Sequence, residues 1–206
     1  MSKRIEIHPV TPQPHRIAKA VRVLADGGVL VYPTDSCYAL GCDLGNADGT
    51  DRIRQIRQKH RHYLLTLLCR NLAEIAEFAH VDNHSYRLLK KLTPGPYTFI
   101  LKASREVPKR LLASRRKTIG IRMPDNAVVK ALLEAHGAPL ISSTAQMPED
   151  EVAMNDPEEI IERLGKRVDA VVDGGLCGLE PTSVVDLTGD VPVVLRKGAG
   201  DVSLFD

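Results

Sequence analysis

Apolar and polar positions follow two different periods along this chain. Between residues 14 and 26, Ile17, Ala20, Val21 and Leu24 recur at helical spacing, and Gly27 supplies a stop. Val29-Leu30-Val31-Tyr32 is a short continuous apolar run ended by Pro33, which reads as a strand. Residues 50–58 predict a helix with Ile53 and Ile56 inward and Arg52, Arg54 and Arg57 elsewhere, and residues 64–69 predict a buried strand. Asn71 is a natural cap for a helix over 72–79, and a further helix over 83–91 stops before Pro94. Tyr97 to Lys102 reads as a strand, 108–113 as a short helix opened by Pro108, and Thr118-Ile119-Gly120-Ile121-Arg122 as another strand. Asn126 caps a helix that ends at Gly137; a strand at 138–142 and a polar loop at 146–156 follow. Asp156-Pro157-Glu158-Glu159 opens a helix that ends at Gly165, and strands are expected at 168–172, 182–187 and 192–195.

Helices and strands alternate throughout, which predicts one α/β domain over residues 1–206 with a mixed sheet. There is no internal repeat, no low-complexity segment and no clear linker, so the Pro/Gly-rich loop 173–181 reads as a site loop. With 43% hydrophobic and 26% charged residues, 206 residues suffice for a full core without disulfides or metal. Aromatics make up only 4%, with no Trp, which argues against a platform of stacked aromatics for single-stranded nucleic acid. Cys37 and Cys42 are spaced C-x4-C with no second pair at zinc spacing, so the four cysteines are expected to be reduced packing residues and no structural metal is expected. The N-terminus has no secretory apolar region and no 18-residue apolar stretch occurs, which predicts a cytoplasmic protein with no membrane partner.

Charge changes the picture more than composition does. Residues 52–122 hold 17 Lys/Arg against 4 Asp/Glu, whereas residues 123–206 hold 6 against 16. Such asymmetry points the middle of the chain toward a polyanion. Several nucleotide and hydrolase devices are absent: no P-loop, no G-x-G-x-x-G after a strand, no G-x-S-x-G elbow. His60 and His62 read as solvated loop residues. What remains is Ser142-Ser143-Thr144, three hydroxyls after the apolar run Ala138-Pro139-Leu140-Ile141. A strand end followed by small hydroxyl residues offers O–H and backbone N–H donors to an anion. Arg57 and Lys59 add a fork and a compact charge, suited to neutralising a leaving pyrophosphate. With Tyr32-Pro33-Thr34-Asp35-Ser36 and Pro181-Thr182-Ser183, these segments suggest a nucleotide site assembled from distant parts of one fold.

The same segments carry a resemblance. Tyr32-Pro33-Thr34-Asp35-Ser36-Cys37-Tyr38-Ala39-Leu40-Gly41 resembles Y-P-T-[DE]-T-x-Y-G-L-G of the YrdC/YciO family, which includes threonylcarbamoyl-AMP synthases acting in tRNA modification. Arg57-Gln58-Lys59 stands where that family has K-x-R. Thr93-Pro94-Gly95-Pro96-Tyr97-Thr98 is similar to W-P-G-P-x-T, Ile121-Arg122-Met123-Pro124 to V-R-x-P, and Ser142-Ser143-Thr144-Ala145-Gln146 to S-T-S-A-N. Pro181-Thr182-Ser183-Val184-Val185-Asp186 is similar to P-S-T-[VI]-[VI]-D, and Arg196-Lys197-Gly198 to a late R-x-G. Each piece is weak alone; the ordered set spans nearly the whole chain, and length together with Thr93-Pro94-Gly95-Pro96-Tyr97-Thr98-Phe99 suggests the YciO-like branch.

The resemblance implies a YrdC-like twisted, open, mixed α/β sheet with a basic cleft. It implies an L-threonylcarbamoyladenylate synthase, a nucleotidyltransferase that combines L-threonine, bicarbonate and ATP, with Mg²⁺ on the phosphates. Carried over position by position, Arg57, Lys59 and Arg196 are the catalytic cations that hold phosphate and carboxylate groups. Thr34 contacts the threonyl part, and Arg122 holds the adenylate or the threonine carboxylate. Ser142, Ser143, Thr144, Gln146, Pro181 and Ser183 belong to the nucleotide and carbamate site. Arg61, Arg115, Arg116 and Lys117 form the expected contact to tRNA or double-stranded RNA. Two departures stand out: the basic pair is reversed, and Gln146 is one methylene longer than the family Asn, followed by the acidic Glu149-Asp150-Glu151. They define the alternative, a non-catalytic RNA- or nucleotide-binding protein of the YciO branch. A plain protein-interaction domain would leave the ordered motifs unexplained.

Overall fold

A computed structural model describes residues 2–58, 65–112 and 117–205. Its strands are β1 (Lys3–Glu6), β2 (Leu30–Tyr32), β3 (Ala39–Asp43), β4 (Thr66–Leu68), β5 (Ala79–His80), β6 (Tyr97–Ala103), β7 (Thr118–Arg122), β8 (Leu140–Thr144), β9 (Ala170–Asp173), β10 (Ser183–Asp186) and β11 (Val193–Arg196). Its α-helices are α1 (Pro14–Ala25), α2 (Ala47–Ile56), α3 (Leu72–Phe78), α4 (Asn83–Leu92), α5 (Ala127–His136) and α6 (Pro157–Leu164). The strands form one twisted, open, mixed sheet in the order β1-β9-β2-β3-β8-β4-β7-β6-β10-β11, with β5 beside β6. Among the described residues, no helix is long and apolar enough to cross a membrane.

Local signals account for most helix ends. Asn71 accepts from Glu74 N at 2.9 Å, Asp82 from Ser85 N at 2.7 Å and Asp156 from Glu158 N at 2.9 Å. Gly137 ends α5 in the left-handed region at φ 77°. Helix α2 begins three residues before the expected position 50, because Asn46 accepts from Gly49 N at 2.8 Å and opens the helix there. The expected helix at 108–113 is a single 3₁₀ turn over Lys109–Leu111.

The largest difference concerns the three hydroxyls. They do not follow a strand: β8 runs from Leu140 through Thr144 instead of ending at 142. Its partner β3, unexpected from the sequence, pairs antiparallel with it through Gly41↔Ser142, Leu40↔Ser143 and Ala39↔Thr144. Strand β1 was also unexpected, since Lys3-Arg4-Ile5-Glu6 has one apolar residue; it forms by parallel pairing with β9.

The two faces of the sheet are treated differently. One is covered by α2, α3, α4 and α6, whose Ile53, Ile75, Leu89 and Ile160 pack on Leu67, Phe99, Ile121 and Ile141. The other is covered by α1 and α5, whose Ile17, Leu24, Val129 and Leu132 pack on Leu30, Leu140 and Val172. The second cover reaches β1, β9, β2, β3, the start of β8 and the end of β4, and includes no residue of β7, β6, β10 or β11. Strand alternation then decides what the open part presents. Ile121 and Phe99 face the first core, so their neighbours Arg122 and Thr98 face the opening.

Candidate functional site

A cavity of about 120 Å³ sits on that uncovered face. Its floor carries Ser142 and Thr144 from β8, Thr66 from β4 and Thr98 from β6, with Thr182 just before β10; Ser143 also borders it, although its side chain alternates to the side of Ile141. Arg122, ending β7, and Arg196, ending β11, supply positive charge. Cys37, Tyr38 and Ala39 form the near wall. A neutral hydroxyl floor between two guanidinium groups binds an anion through hydrogen bonds and charge together. The cavity is small beside ordinary ligand pockets of about 300–1,000 Å³, so its enclosed part suits a small polar group, with anything larger extending into the open cleft.

The loop after β2 organises Arg122. Thr34 Oγ1 accepts from Ser36 N at 3.2 Å and donates to the Cys37 carbonyl at 2.6 Å, which folds the loop on itself. Arg122 Nη2 then donates to Thr34 Oγ1 and to Ser36 Oγ, both at 3.0 Å, and to Asp35 Oδ1. Asp35 Oδ2 accepts from Asp125 N at 2.9 Å, so one buried ion pair ties the loop after β2 to the loop before α5. Among the described residues, Arg122 Nε is buried without a partner.

Other contacts hold the walls. Tyr32 donates its hydroxyl to Ser142 Oγ at 3.0 Å, and burial pushes its phenol well above the usual range. Tyr38 donates to the Gly175 carbonyl at 2.7 Å and accepts from Gly174 N at 3.2 Å, which fastens the loop before β10 across the site. Arg196 reaches the Thr182 carbonyl at 2.9 Å and its hydroxyl at 3.1 Å, and Thr182 meets Thr98 at 2.9 Å. A Cβ on Gly198 would lie 2.2 Å from the Pro181 carbonyl, so only glycine lets the turn after Arg196 close onto this wall. Burial raises the thiols of Cys37 and Cys177, the latter to about 11. Both stay protonated and unreactive at neutral pH.

Of the residues singled out from the sequence, the fold places Arg122, Ser142, Ser143, Thr144 and Arg196 on one cavity. Thr34 stands behind Arg122. Ser183 is fully buried and spends its hydroxyl on the Gly200 carbonyl at 2.6 Å and Gly198 N at 3.0 Å. Pro181 contributes a backbone carbonyl that accepts from Ala199 N. Arg57 meets Gln146, just beyond Thr144: its Nη1 donates to the Gln146 carbonyl, its Nη2 lies 3.4 Å from Oε1, and neither residue lines the cavity. Lys117 borders a separate basic groove with Arg105, Lys109 and Arg110. Lys59, Arg61, Arg115 and Arg116 lie outside the described residues.

Sequence reasoning named the segments that hold Asp35, Ser36, Thr98 and Thr182 without giving these residues a role, and missed Thr66. Signals existed for two of them. Thr66 is the one polar residue inside the apolar run Leu64–Leu68. Period-two alternation separates Thr182 and Val184 from Ser183, so only one side of that motif can face the cleft.

A family model described as Telomere recombination (Sua5, YciO, YrdC) matches residues 22–198. The chain belongs to the Sua5/YciO/YrdC family. This family member is 50% identical over 205 residues to the uncharacterized protein YciO of Escherichia coli (strain K12), covering 100% of both chains. The crystal structure of E. coli YciO superposes with a TM-score of 0.97 over 100% of each chain. A threonylcarbamoyl-AMP synthase of Halorhodospira halophila is 32% identical over 180 residues, covering 86% of this chain and 93% of its own. P. abyssi Sua5 in complex with L-threonine shares the fold at a TM-score of 0.88 with 22% identity, over 96% of this chain and 58% of that one.

Proposed function

We propose that this protein is an L-threonylcarbamoyladenylate synthase-like enzyme acting in the cleft over β8, β4, β7 and β6. The observation that carries the reading is Arg122, a buried guanidinium oriented by Thr34, Asp35 and Ser36 at the wall of the hydroxyl-lined cavity. The 32% identity to a threonylcarbamoyl-AMP synthase over most of both chains supports it. In this reading the threonine nitrogen bonds to the bicarbonate carbon with loss of water. A carbamate oxygen then attacks the α-phosphorus of ATP, the bond to the β-phosphate oxygen breaks, and pyrophosphate leaves. Arg122 binds the carboxylate or carbamate, Arg196 the phosphate, and Ser142 and Thr144 orient the reacting oxygens. No covalent nucleophile is needed: among the described residues the cleft hydroxyls lack a base partner, Cys37 is held neutral, and rate comes from positioning and charge. Mg²⁺ would accompany ATP as part of the Mg²⁺–ATP substrate.

The test is incubation of the folded protein with labelled threonine, bicarbonate and Mg²⁺–ATP. Pyrophosphate release that requires both threonine and bicarbonate is expected; release at background defeats the reading. One observation favours a second reading. Arg57 is engaged by Gln146 and does not line the cavity, as suits a protein that binds nucleotide or RNA without turnover. ATP binding without adenylate formation selects it.

A further inference from the structure

Arg57 is only 6% exposed, yet its partners among the described residues are the two neutral oxygens of Gln146, and its Nε is buried with none. A buried cation without a carboxylate is costly and strongly attracts an anion. A carboxylate is close at hand. Asp150 lies in the acidic turn directly after Gln146, near enough to feel the charge of Arg57. The turn folds back on Gln146: Gln146 Nε2 donates to the Asp150 carbonyl at 2.9 Å, and Met147 N donates to Asp150 Oδ2 at 3.0 Å. Asp150 nonetheless pairs elsewhere. Arg163 of α6 donates to Asp150 Oδ1 at 2.7 Å, to Glu159 at 2.8 Å and toward Glu149 at 3.5 Å.

We propose that Arg163 is a positioning residue that holds the acidic turn away from Arg57, so that Arg57 keeps its charge for the phosphates of a nucleotide. The arrangement removes the conflict of an acidic loop beside a phosphate site. Arg163 takes up two carboxylates of the turn, Glu149 and Asp150, together with Glu159 of its own helix, while Gln146 keeps Arg57 in place with weak neutral acceptors that a phosphate oxygen displaces. The inference rests on the nucleotide half of the function proposed above, and binding tests it independently of turnover.

The measurement is calorimetric titration with Mg²⁺–ATP and with inorganic tripolyphosphate. The proteins are wild type, Arg163→Ala, Arg163→Lys, Asp150→Asn and the double variant Arg163→Ala with Asp150→Asn, each with its unfolding midpoint recorded. Arg163→Ala releases Asp150 to pair with Arg57 and should weaken both ligands about tenfold. Asp150→Asn alone should bind at least as tightly as wild type. The double variant should recover to within about twofold, and Arg163→Lys should stay near wild type. A purely structural Arg163 would give a loss that Asp150→Asn does not repair, and that result overturns the proposal, as does unchanged binding in Arg163→Ala. If Arg163→Ala does not fold, Arg163→Lys and Asp150→Asn decide: weaker binding in Asp150→Asn refutes it. Wild type that binds neither ligand refutes it too. Wild type that binds ATP and forms no adenylate defeats the synthase reading alone.

Discussion

Arg122 and Arg57 are equally buried, at 6% exposure each, and stand in opposite electrostatic situations. Arg122 faces the carboxylate of Asp35 and two hydroxyls, and its ion pair stitches two loops together. Among the described residues, Arg57 faces a carbonyl and an amide oxygen. Burial alone therefore does not set what a guanidinium does. The charge of the partner decides whether the group serves the scaffold or waits for an anion.

The sharpest way to break this contrast is to delete each cation. Arg122→Ala leaves Asp35 buried and unpaired and should lower the free energy of unfolding by about 3–5 kcal/mol, read from urea denaturation. Removing Asp35 as well should return much of that loss, because no charge is then stranded; a double variant as unstable as the single one would show the pair is not the cause. Arg57→Met should behave oppositely, with stability within about 1 kcal/mol of wild type and ATP affinity reduced about tenfold or more. Equal stability losses in the two variants would erase the distinction.

A smaller effect tests the floor between Arg122 and Arg196. Ser142→Ala takes the acceptor from the buried Tyr32 hydroxyl and should cost about 1–3 kcal/mol in the same denaturation experiment. Smaller still is the response of the near wall. With their thiols raised by burial, Cys37 and Cys177 should be alkylated at neutral pH more slowly than free cysteine, and faster only as pH climbs toward the raised values. Rapid alkylation of Cys37 in the folded protein would give the cleft a nucleophile that the present reading denies it.

How much of this was legible in the sequence depended on how local each feature is. The caps at Asn71, Asn126 and Asp156 and the strand Thr118–Arg122 are set by neighbouring residues, and were readable. Strands β1 and β3 were not. Lys3-Arg4-Ile5-Glu6 and Ala39-Leu40-Gly41-Cys42-Asp43 lack a strand pattern, and partners far along the chain impose the conformation. Ser142, Ser143 and Thr144 were found as residues, but their position inside a strand depends on β3, which the sequence does not announce. Nothing near Arg57 shows that it meets Gln146, and nothing near Asp150 shows that Arg163 claims it. The reversed basic pair and the acidic turn looked like separate departures; the fold joins Arg57 and Asp150 through Gln146.

The path of the sheet has a kinetic consequence. Strand β9 lies between β1 and β2 and pairs parallel with both, while β10 pairs with β6. Strand β1 and the β10–β11 hairpin thus dock onto the sheet only across long stretches of chain, and such closures are slow because their entropy is lost before contacts are gained. Thr182 and Arg196 belong to the segments that arrive through these late closures. During synthesis, a nascent chain that has formed β8 but not yet β10 and β11 has the hydroxyl floor without its second cation. Nucleotide affinity should therefore emerge abruptly with the last strands, so that ligand binding reports completed folding.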